Sequence, residues 1–320
     1  MPEAALDGAL AAAAEGLPIV LVGDEPRLRA GLAERGASLP IRHADDVIGM
    51  TEAAADVRRR RQSSVMVAMR MVKDGEASAA VSLGHSGATM AAALFVLGRL
   101  PGVERPGIFA NVPVKDGYVG LIDVGANADC RPTHLQQFAV MGSVFARTMW
   151  GVAAPKVGLM SIGEEPEKGN DLVVRSHELL RHTPGIDFYG NVEGRDLFSG
   201  LTDVVVTDGF TGNVILKLAE GEARALFSWV RDALRSDLRS RIGGWLVRPR
   251  LRAVAARLDP AEYGAQPLLG VDGYAFIGHG SADGRAVASA IRTAHRAVEG
   301  GLLEHVRNGI AGLGEVPQPA

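Results

Sequence analysis

The segment Asp203-Val204-Val205-Val206-Thr207-Asp208-Gly209-Phe210-Thr211-Gly212-Asn213 contains the pattern that decides the fold. A run of β-branched residues ends in an acidic loop with two glycines, and a long helical pattern follows. This order of strand, loop and helix is typical of sheets that carry helices on their faces. The glycines let backbone N–H groups approach a ligand where the helix dipole favours an anion.

The same order of elements repeats along the chain. Short apolar runs that predict strands lie at 18–22, 79–83, 107–111, 119–124, 156–162, 187–190 and 203–207. Helical patterns lie at 27–35, 64–73, 88–97, 133–150, 171–182 and 284–306, with an extended helix after Asn213. Alternating strands and helices predict a doubly wound α/β sheet. No Pro-, Ser- or Gly-rich linker divides residues 1–320, so we expect a single domain.

Composition excludes several classes of protein. The chain has 320 residues, 34 basic and 37 acidic side chains, and a net charge of -3. Cys130 is the single cysteine, which excludes an internal disulfide and a cysteine metal cluster. The sequence shows no secretory signal and no window of 18 apolar residues that could cross a membrane. We therefore expect a cytoplasmic protein without a bound metal.

Basic charge is concentrated between residues 224 and 258. This segment carries nine arginines against two aspartates, a local charge of +7, which leaves -10 on the rest of the chain. Two helices joined as a hairpin, broken at Gly243-Gly244 and Pro249, explain its pattern. Its contact candidates are Arg241, Trp245, Leu246, Arg248 and Arg250. Apolar residues separated by arginines predict an anionic membrane surface as partner, with a dimerisation hairpin as the alternative.

Four loops after predicted strands combine glycine with polar residues. They lie at 82–88, 123–129, 161–171 and 207–213. Ligands of doubly wound sheets bind beyond the carboxyl ends of strands, so we expect these loops to meet and form a phosphate-sized site. Each loop alone is also explained as an ordinary turn. The sequence contains no dinucleotide-binding glycine motif, Walker lysine, zinc-protease motif or serine-hydrolase elbow.

An ordered series of motifs gives a more specific indication. Besides the Gly84 and Asp123 loops, it comprises 21–24, 43–45, 58–64, 141–143, 163–170, 190–193, 207–213, 262–264, 268–270 and 279–281. This series resembles the bacterial phosphate acyltransferase family, the acyl-carrier-protein:phosphate transacylases of phospholipid synthesis. The resemblance implies an isocitrate- and isopropylmalate-dehydrogenase-like sheet with a protruding basic helical hairpin.

The resemblance also implies a reaction. Inorganic phosphate attacks the thioester of a long-chain acyl carrier protein and yields acyl phosphate, which a membrane-bound acyltransferase uses to acylate glycerol 3-phosphate. A homodimer, no cofactor, and peripheral attachment to the inner face of the cell membrane are further implications. Because phosphate is the nucleophile, the enzyme needs an anion site and donors for the developing oxyanion, without a covalent serine or cysteine.

Positions in the family motifs imply roles for individual residues. Lys168 stabilises phosphate and the oxyanion, Asn213 orients the substrate, and His279 assists the leaving thiolate. A surface lysine, a capping amide and a capping histidine are the respective alternatives. Asp208 has loop orientation as its alternative, and Glu164 and Glu165 are expected to be solvated or paired with Lys168. Further phosphate or substrate contacts are expected from Ser86, Gly87, Asn127, Gly169, Asn170, Asp208, Gly209, Thr211 and Gly212.

A basic surface must receive the acidic acyl carrier protein. The run Arg58, Arg59, Arg60 and Arg61 is one candidate, and the hairpin arginines are the other. A solvated helix end is the alternative for the four-arginine run. We expect no nucleic-acid partner, because no aromatic stacking platform accompanies the arginines.

The amino terminus departs from the family pattern. The family has a first strand and a Met-Gly-Gly-Asp loop before the point where Met1 falls, and both are missing here. We expect either a true start upstream of Met1 or a divergent member with impaired activity. The rival enzyme is a short-chain phosphate acyltransferase that uses coenzyme A and needs no lipid-facing hairpin. The rival without turnover is a catalytically impaired scaffold at the membrane surface.

Overall fold

The computed structural model describes residues 2–259, 265–278, 280 and 282–314. The helices of this part are α1 (Pro2–Ala14), α2 (Glu25–Glu34), α3 (Ser64–Lys73), α4 (Ser86–Val96), α5 (Pro132–Trp150), α6 (Asp171–Arg181), α7 (Gly209–Ala233), α8 (Leu238–Arg257), α9 (Gly284–Glu299) and α10 (Leu302–Ala311). The strands are β1 (Leu21–Gly23), β2 (Ile41–His43), β3 (Ala79–Ser82), β4 (Gly107–Val114), β5 (Gly117–Ile122), β6 (Lys156–Met160), β7 (Asp187–Val192), β8 (Val204–Val206), β9 (Ala265–Leu269) and β10 (Tyr274–Gly278). The predicted α/β class is confirmed.

Eight strands form one mixed sheet in the order β3-β10-β9-β4-β5-β8-β6-β7. Strands β5, β8, β6 and β7 are parallel to one another, whereas β4 and β5 form an antiparallel hairpin. The valines of β8 are fully buried, as a strand covered on both faces requires. β1 and β2 form a separate parallel pair, so the strand predicted at 18–22 belongs to a second, small sheet.

Strand direction decides which loops can meet. Three antiparallel pairs, β10–β9, β9–β4 and β4–β5, separate β3 from β5, so these two strands run in opposite directions. The loops after β5, β8 and β6 leave the sheet at one edge. The loop after β3 leaves the sheet at the opposite end of the strands. The expectation that all four glycine loops share one end of the sheet is therefore wrong.

Helices cover both faces of the large sheet. α5 packs against β8, α6 and α10, and every side chain of α5 between His134 and Ala146 is buried. The fully buried rings of Phe109, Phe138 and Phe145 lie in this layer. On the other side, α3 and α4 pack their apolar residues against the strands in a second buried cluster. Burying one such side chain contributes about 1.5–3 kcal/mol, so these two clusters fix the sheet that carries the loops.

Some elements are not indicated by the sequence pattern. The predicted elements do not include α1, β2, β9 and β10. Pro267 lies in the middle of β9, and β2 has only three residues. The single helix predicted at 284–306 is two helices, α9 and α10. Gly301 separates them with a φ of 63°, a left-handed conformation that favours glycine.

α7 and α8 form the basic hairpin, joined by the turn 234–237. Gly243, Gly244 and Pro249 lie inside α8 and do not break it, contrary to the prediction. No residue of α8 is buried, so this helix stands clear of the core. At about 100° per residue, Leu238 and Ile242 lie on one side of α8, and Val247 and Val254 lie nearly opposite. None of the helices described is long and apolar enough to cross a membrane.

Candidate active site

The carboxylate of Asp123 organises the loop after β5. This side chain is fully buried. Its Oδ1 accepts hydrogen bonds from the N–H groups of Ile108, Gly125 and Ala126 at 3.0, 3.2 and 3.0 Å. Its Oδ2 accepts from the N–H and the Nδ2 of Asn127 at 2.8 and 2.9 Å. Burial raises the pKa of the Asp123 carboxyl, and these donors oppose the rise.

The side chain of Asn127 helps to hold the same loop. Its Nδ2 also donates to the carbonyl of Pro106 at 2.7 Å, so its amide donors have acceptors within the protein. The structure therefore gives Asn127 the role of a loop clamp in place of the expected phosphate contact. Asp123, which the sequence prediction leaves out of the site residues, is the group around which the loop folds.

α7 begins directly on this loop. Asp208 caps the helix, since its Oδ1 accepts the N–H of Thr211 at 2.8 Å and its Oδ2 accepts the Thr211 Oγ1 hydroxyl at 2.7 Å. The N–H of Gly209 donates to the carbonyl of Asn127 at 2.8 Å. A Cβ atom at Gly209 would lie 2.7 Å from that carbonyl oxygen. These residues, with Gly212, position the start of α7, which is the alternative stated for Asp208.

Lys168 lies in the loop between β6 and α6. Its N–H donates to the carbonyl of Glu165 at 3.0 Å, and the hydroxyl of Ser161 donates to the carbonyl of Lys168 at 3.0 Å. Gly169 follows with a φ of 116°. Asn170 then caps α6 by accepting the N–H of Val173 at 3.0 Å. The loop therefore holds its backbone through local hydrogen bonds and presents the exposed Lys168 side chain to solvent.

The ammonium of Lys168 has no ion-pair partner within the described residues. The carboxylate of Glu164 lies 3.7 Å from the guanidinium of Arg195, which follows β7. Glu165 is exposed. Glu164 and Glu165 are thus both solvated, as one of the two stated alternatives expects, and Glu164 pairs with Arg195. Neither carboxylate forms an ion pair with Lys168, so the ammonium stays available to an anion.

Three predicted residues at this edge keep side-chain donors that no other described residue uses. They are Nζ of Lys168, Nδ2 of Asn170 and the amide of Asn213. The Oδ1 of Asn213 lies 3.8 Å from where a Cβ of Gly125 would stand, so this side chain overhangs the Asp123 loop. Because β6 and β8 are neighbours, paired at Leu159 and Val206, their loops are adjacent. Together these donors form a candidate anion site.

Two further predicted residues lie at the opposite edge of the sheet. Ser86 is exposed and begins α4, where the Nδ1 of His85 accepts the N–H of Ala88 at 3.2 Å. A Cβ at Gly87 would lie 3.1 Å from the Cβ of Ala54. His279 lies outside the described residues, so its role stays a prediction.

The four-arginine run divides into two kinds of residue. Arg60 is half-buried and forms ion pairs with Asp46 and Glu52. Arg58, Arg59 and Arg61 are exposed, and the guanidinium of Arg58 lies 6.0 Å from the centre of the Phe95 ring. Arg60 therefore ties the segment 46–60 together, and the other three arginines remain at the surface.

The contact candidates of the hairpin are all exposed. Trp245 and Leu246 are 72% and 65% exposed, and Arg241, Arg248 and Arg250 lie on the same helix without ion pairs among the described residues. A groove of about 1210 Å³ separates α7 from α8. Phe227, Trp245 and Leu251 contribute its apolar lining, and Arg231 and Arg248 contribute its basic lining.

Cys130 follows the Asp123 loop and is half-buried. Burial, helped by the negative charge of Asp123, raises the pKa of its thiol to about 12. A thiol with this pKa is a poor nucleophile at neutral pH. The arrangement thus offers anion-binding donors without an activated cysteine.

Two phosphotransacetylases are among the solved structures with a similar fold. A phosphotransacetylase from Streptococcus pyogenes matches with a TM-score of 0.61 at 18% identity, over 93% of each chain. The EutD phosphotransacetylase from Staphylococcus aureus matches with a TM-score of 0.58 at 17% identity, over 92% of each chain. At these identities the likeness shows the fold alone.

Sequence comparison identifies the family. The model of the family described as "Fatty acid synthesis protein" matches residues 1–305. A phosphate acyltransferase from Thermus thermophilus is 58% identical over 312 residues, which cover 98% of this chain and 95% of the relative. A phosphate acyltransferase from Synechococcus elongatus is 47% identical over 324 residues, covering 100% of this chain and 92% of the relative. The chain therefore belongs to the fatty acid synthesis protein family and is an acyltransferase.

Proposed function

We propose that this chain transfers a long-chain acyl group from acyl carrier protein to inorganic phosphate. The observation that carries the proposal is the group of unpaired donors on Lys168, Asn170 and Asn213, in adjacent loops after β6 and β8. An ammonium and two amides suit a phosphate dianion and an oxyanion equally well. The names of the relatives, which are phosphate acyltransferases, support the same acceptor.

The reaction needs positioning more than covalent catalysis. An oxygen of hydrogen phosphate attacks the thioester carbon, so that a C–O bond forms and the C–S bond breaks. The proton of hydrogen phosphate ends on the departing thiolate, and the products are acyl phosphate and the free carrier. Lys168 holds phosphate and balances the charge that develops on the carbonyl oxygen, and Asn213 orients the reactants. The high pKa of Cys130 fits a mechanism without an acyl-enzyme intermediate.

Exposed arginines support an acidic protein as the acyl donor. Arg58, Arg59 and Arg61 are exposed close together in the chain, and Arg241, Arg248 and Arg250 are exposed on α8, with Arg250 nearly opposite the other two. Such exposed charges raise the rate of encounter with an acidic carrier, and their effect weakens as salt is added. Arg60 is already paired, so we assign it to folding and not to carrier docking.

The hairpin supports a homodimer that touches an anionic membrane. The groove between α7 and α8, with Phe227 and Leu251 in its lining, leaves apolar surface for a second copy of the hairpin. Leu238, Ile242 and Leu246 are exposed near the turn of the hairpin, on another side of α8, and fit the membrane interface. A cytoplasmic enzyme docked in this way would deliver acyl phosphate to a membrane-bound glycerol 3-phosphate acyltransferase.

The acyl donor is the discriminating measurement. Acyl phosphate formation is followed with palmitoyl carrier protein and, separately, with acetyl-CoA at equal concentrations. The proposal expects turnover with the carrier to exceed turnover with acetyl-CoA. Preference for acetyl-CoA would establish the short-chain rival, and no turnover with either donor would favour the scaffold.

A further inference from the structure

Two hydrogen bonds fix the backbone of the turn that carries Lys168. The Glu165 carbonyl accepts the N–H of Lys168 at 3.0 Å and also the Nδ2 of Asn191 at 2.8 Å. The first bond is local to the turn, whereas the second reaches it from β7. Asn191 therefore ties the turn to the sheet.

Asn191 is itself oriented by a second buried side chain. Its Oδ1 lies 2.9 Å from the Nδ1 of His177 on α6. The Glu165 carbonyl can only accept, so the Asn191 amide must present Nδ2 to it and Oδ1 to His177. His177 must then donate through Nδ1. Asn191 and His177 are 3% and 7% exposed, and the ring of Phe188 packs edge-on against His177 at 5.2 Å between centroids.

The turn has little freedom to absorb a displacement of Glu165. A Cβ at Gly163 would lie 2.8 Å from Cγ of Lys168, so the lysine stem packs directly over this glycine. A Cβ at Gly169 would lie 2.7 Å from the Cβ of Val173. The backbone of Lys168 and the start of its side chain are thus placed by the turn that the Glu165 carbonyl helps to hold.

We infer that His177 and Asn191 are positioning residues for Lys168. The path runs from His177 Nδ1–H to Asn191 Oδ1, from Asn191 Nδ2–H to the Glu165 carbonyl, and from that carbonyl to the backbone of Lys168. Neither side chain touches the substrate. The inference rests on the proposed function, because it concerns the lysine that would bind phosphate.

The test separates loss of a donor from loss of packing. Asn191→Leu removes both hydrogen bonds. Asn191→Asp keeps the size and the contact with His177 but cannot donate to Glu165, and it covers the case in which the leucine variant does not fold. Both variants are expected to lower kcat/KM for phosphate by roughly 10- to 100-fold, with an unchanged KM for the acyl donor. An unchanged KM and kcat for phosphate in a folded variant would overturn the inference.

Two variants at His177 test whether the hydrogen bond that this residue donates is what matters. Asparagine at this position can place its Nδ2 donor where the histidine Nδ1 stands, so His177→Asn is expected to retain most of the activity. His177→Leu cannot donate and is expected to behave like Asn191→Leu. Equal loss in both His177 variants would contradict the proposed path.

A matched control removes a buried hydrogen bond between α5 and Thr183, which lies two residues after the end of α6. Gln136 donates to Thr183 at 3.0 Å, and both residues are buried. Thr183→Val should lower the melting temperature without changing KM for phosphate, and an equal loss of phosphate affinity would overturn the inference. Lys168→Ala in the same assay separates the role of Lys168 from the positioning role of Asn191 and His177. Absence of turnover in the wild type refutes the proposed function, and an active Lys168→Ala enzyme refutes the role of Lys168 in phosphate binding. An inactive Lys168→Ala enzyme beside a fully active Asn191→Leu enzyme refutes only the positioning role.

Discussion

Gly212 lies directly against the backbone of Asp123. A Cβ atom at Gly212 would come within 1.9 Å of the Asp123 carbonyl oxygen, closer than atoms can approach without the chain moving. The first turn of α7 therefore sits on the Asp123 loop through glycine alone. Asn213, the next residue, is placed by this contact.

Gly212→Ala is expected to displace the start of α7. We predict a loss of about 1–3 kcal/mol in the free energy of unfolding and a larger proportional loss of activity, because Asn213 moves with the helix. The matched control is Gly221→Ala in the same helix, where a Cβ meets no atom within 4 Å. That variant should gain about 0.5–1 kcal/mol from helix propensity. Urea unfolding and turnover measure both, and equal behaviour of the two variants would contradict the account.

Arg60 is expected to stabilise the fold in a pH-dependent way. Its hydrogen bonds lower the pKa of the Asp46 carboxyl in the folded state. The stabilisation is therefore present above the ordinary carboxyl pKa and is lost as the pH falls through the lower, folded value. Arg60→Ala should reduce the urea midpoint at pH 7, and the difference from the wild type should shrink toward pH 3. The exposed Arg61→Ala serves as control, and a difference that does not vary with pH would count against this ion pair.

Cys130 is expected to be unreactive in the folded protein. With a thiol pKa of about 12, only roughly one thiol in ten thousand is ionised at pH 8. Iodoacetamide labelling followed by mass spectrometry should be slow in the native protein and fast in urea. Cys130→Ser should keep its turnover. Native labelling as fast as labelling of the unfolded chain, or an inactive Cys130→Ser, would speak against a mechanism without a cysteine nucleophile.

The hairpin is expected to carry membrane contact separately from catalysis. The double variant Ile242→Glu and Leu246→Glu should no longer sediment with vesicles that contain phosphatidylglycerol, because it places two anions on the side of α8 that is proposed to meet the membrane. Turnover in solution should change little. Phe198→Glu with Leu201→Glu adds the same charge at exposed apolar positions outside the hairpin and should leave binding intact. Unchanged sedimentation of the hairpin variant would eliminate the interfacial assignment.

The sequence pattern indicates the strand-loop-helix units but not how they are arranged. Val204–Val206 and the helix after it are recognisable because β-branched and helical periods differ. The sequence pattern does not indicate β9, because Pro267 lies in the middle of this five-residue strand and proline is rare inside sheets. Without β9 and β10 the number of antiparallel steps between β3 and β5 is unknown, so the opposite placement of Ser86 and Lys168 could not be predicted.

The sequence likewise identifies some site residues but not what their side chains bind. Lys168 and Asn213 are recognisable from motif position, and their side chains are unpaired within the described part of the chain. Asn127 and Asp208 belong to the same motifs, but their hydrogen bonds go to the protein itself. Composition and spacing do not report the direction in which an amide or carboxylate points. Asn191 lies within the quoted motif at 190–193, yet its function as a tie becomes visible only with His177 beside it.

The most direct measurement of the central claim is phosphate-dependent formation of palmitoyl phosphate from palmitoyl carrier protein. Lys168→Ala is compared with Lys115→Ala, which removes an exposed lysine between β4 and β5. We expect the wild type and Lys115→Ala to form palmitoyl phosphate, and Lys168→Ala to lose this activity while remaining folded. Wild-type turnover in a folded Lys168→Ala enzyme would contradict it.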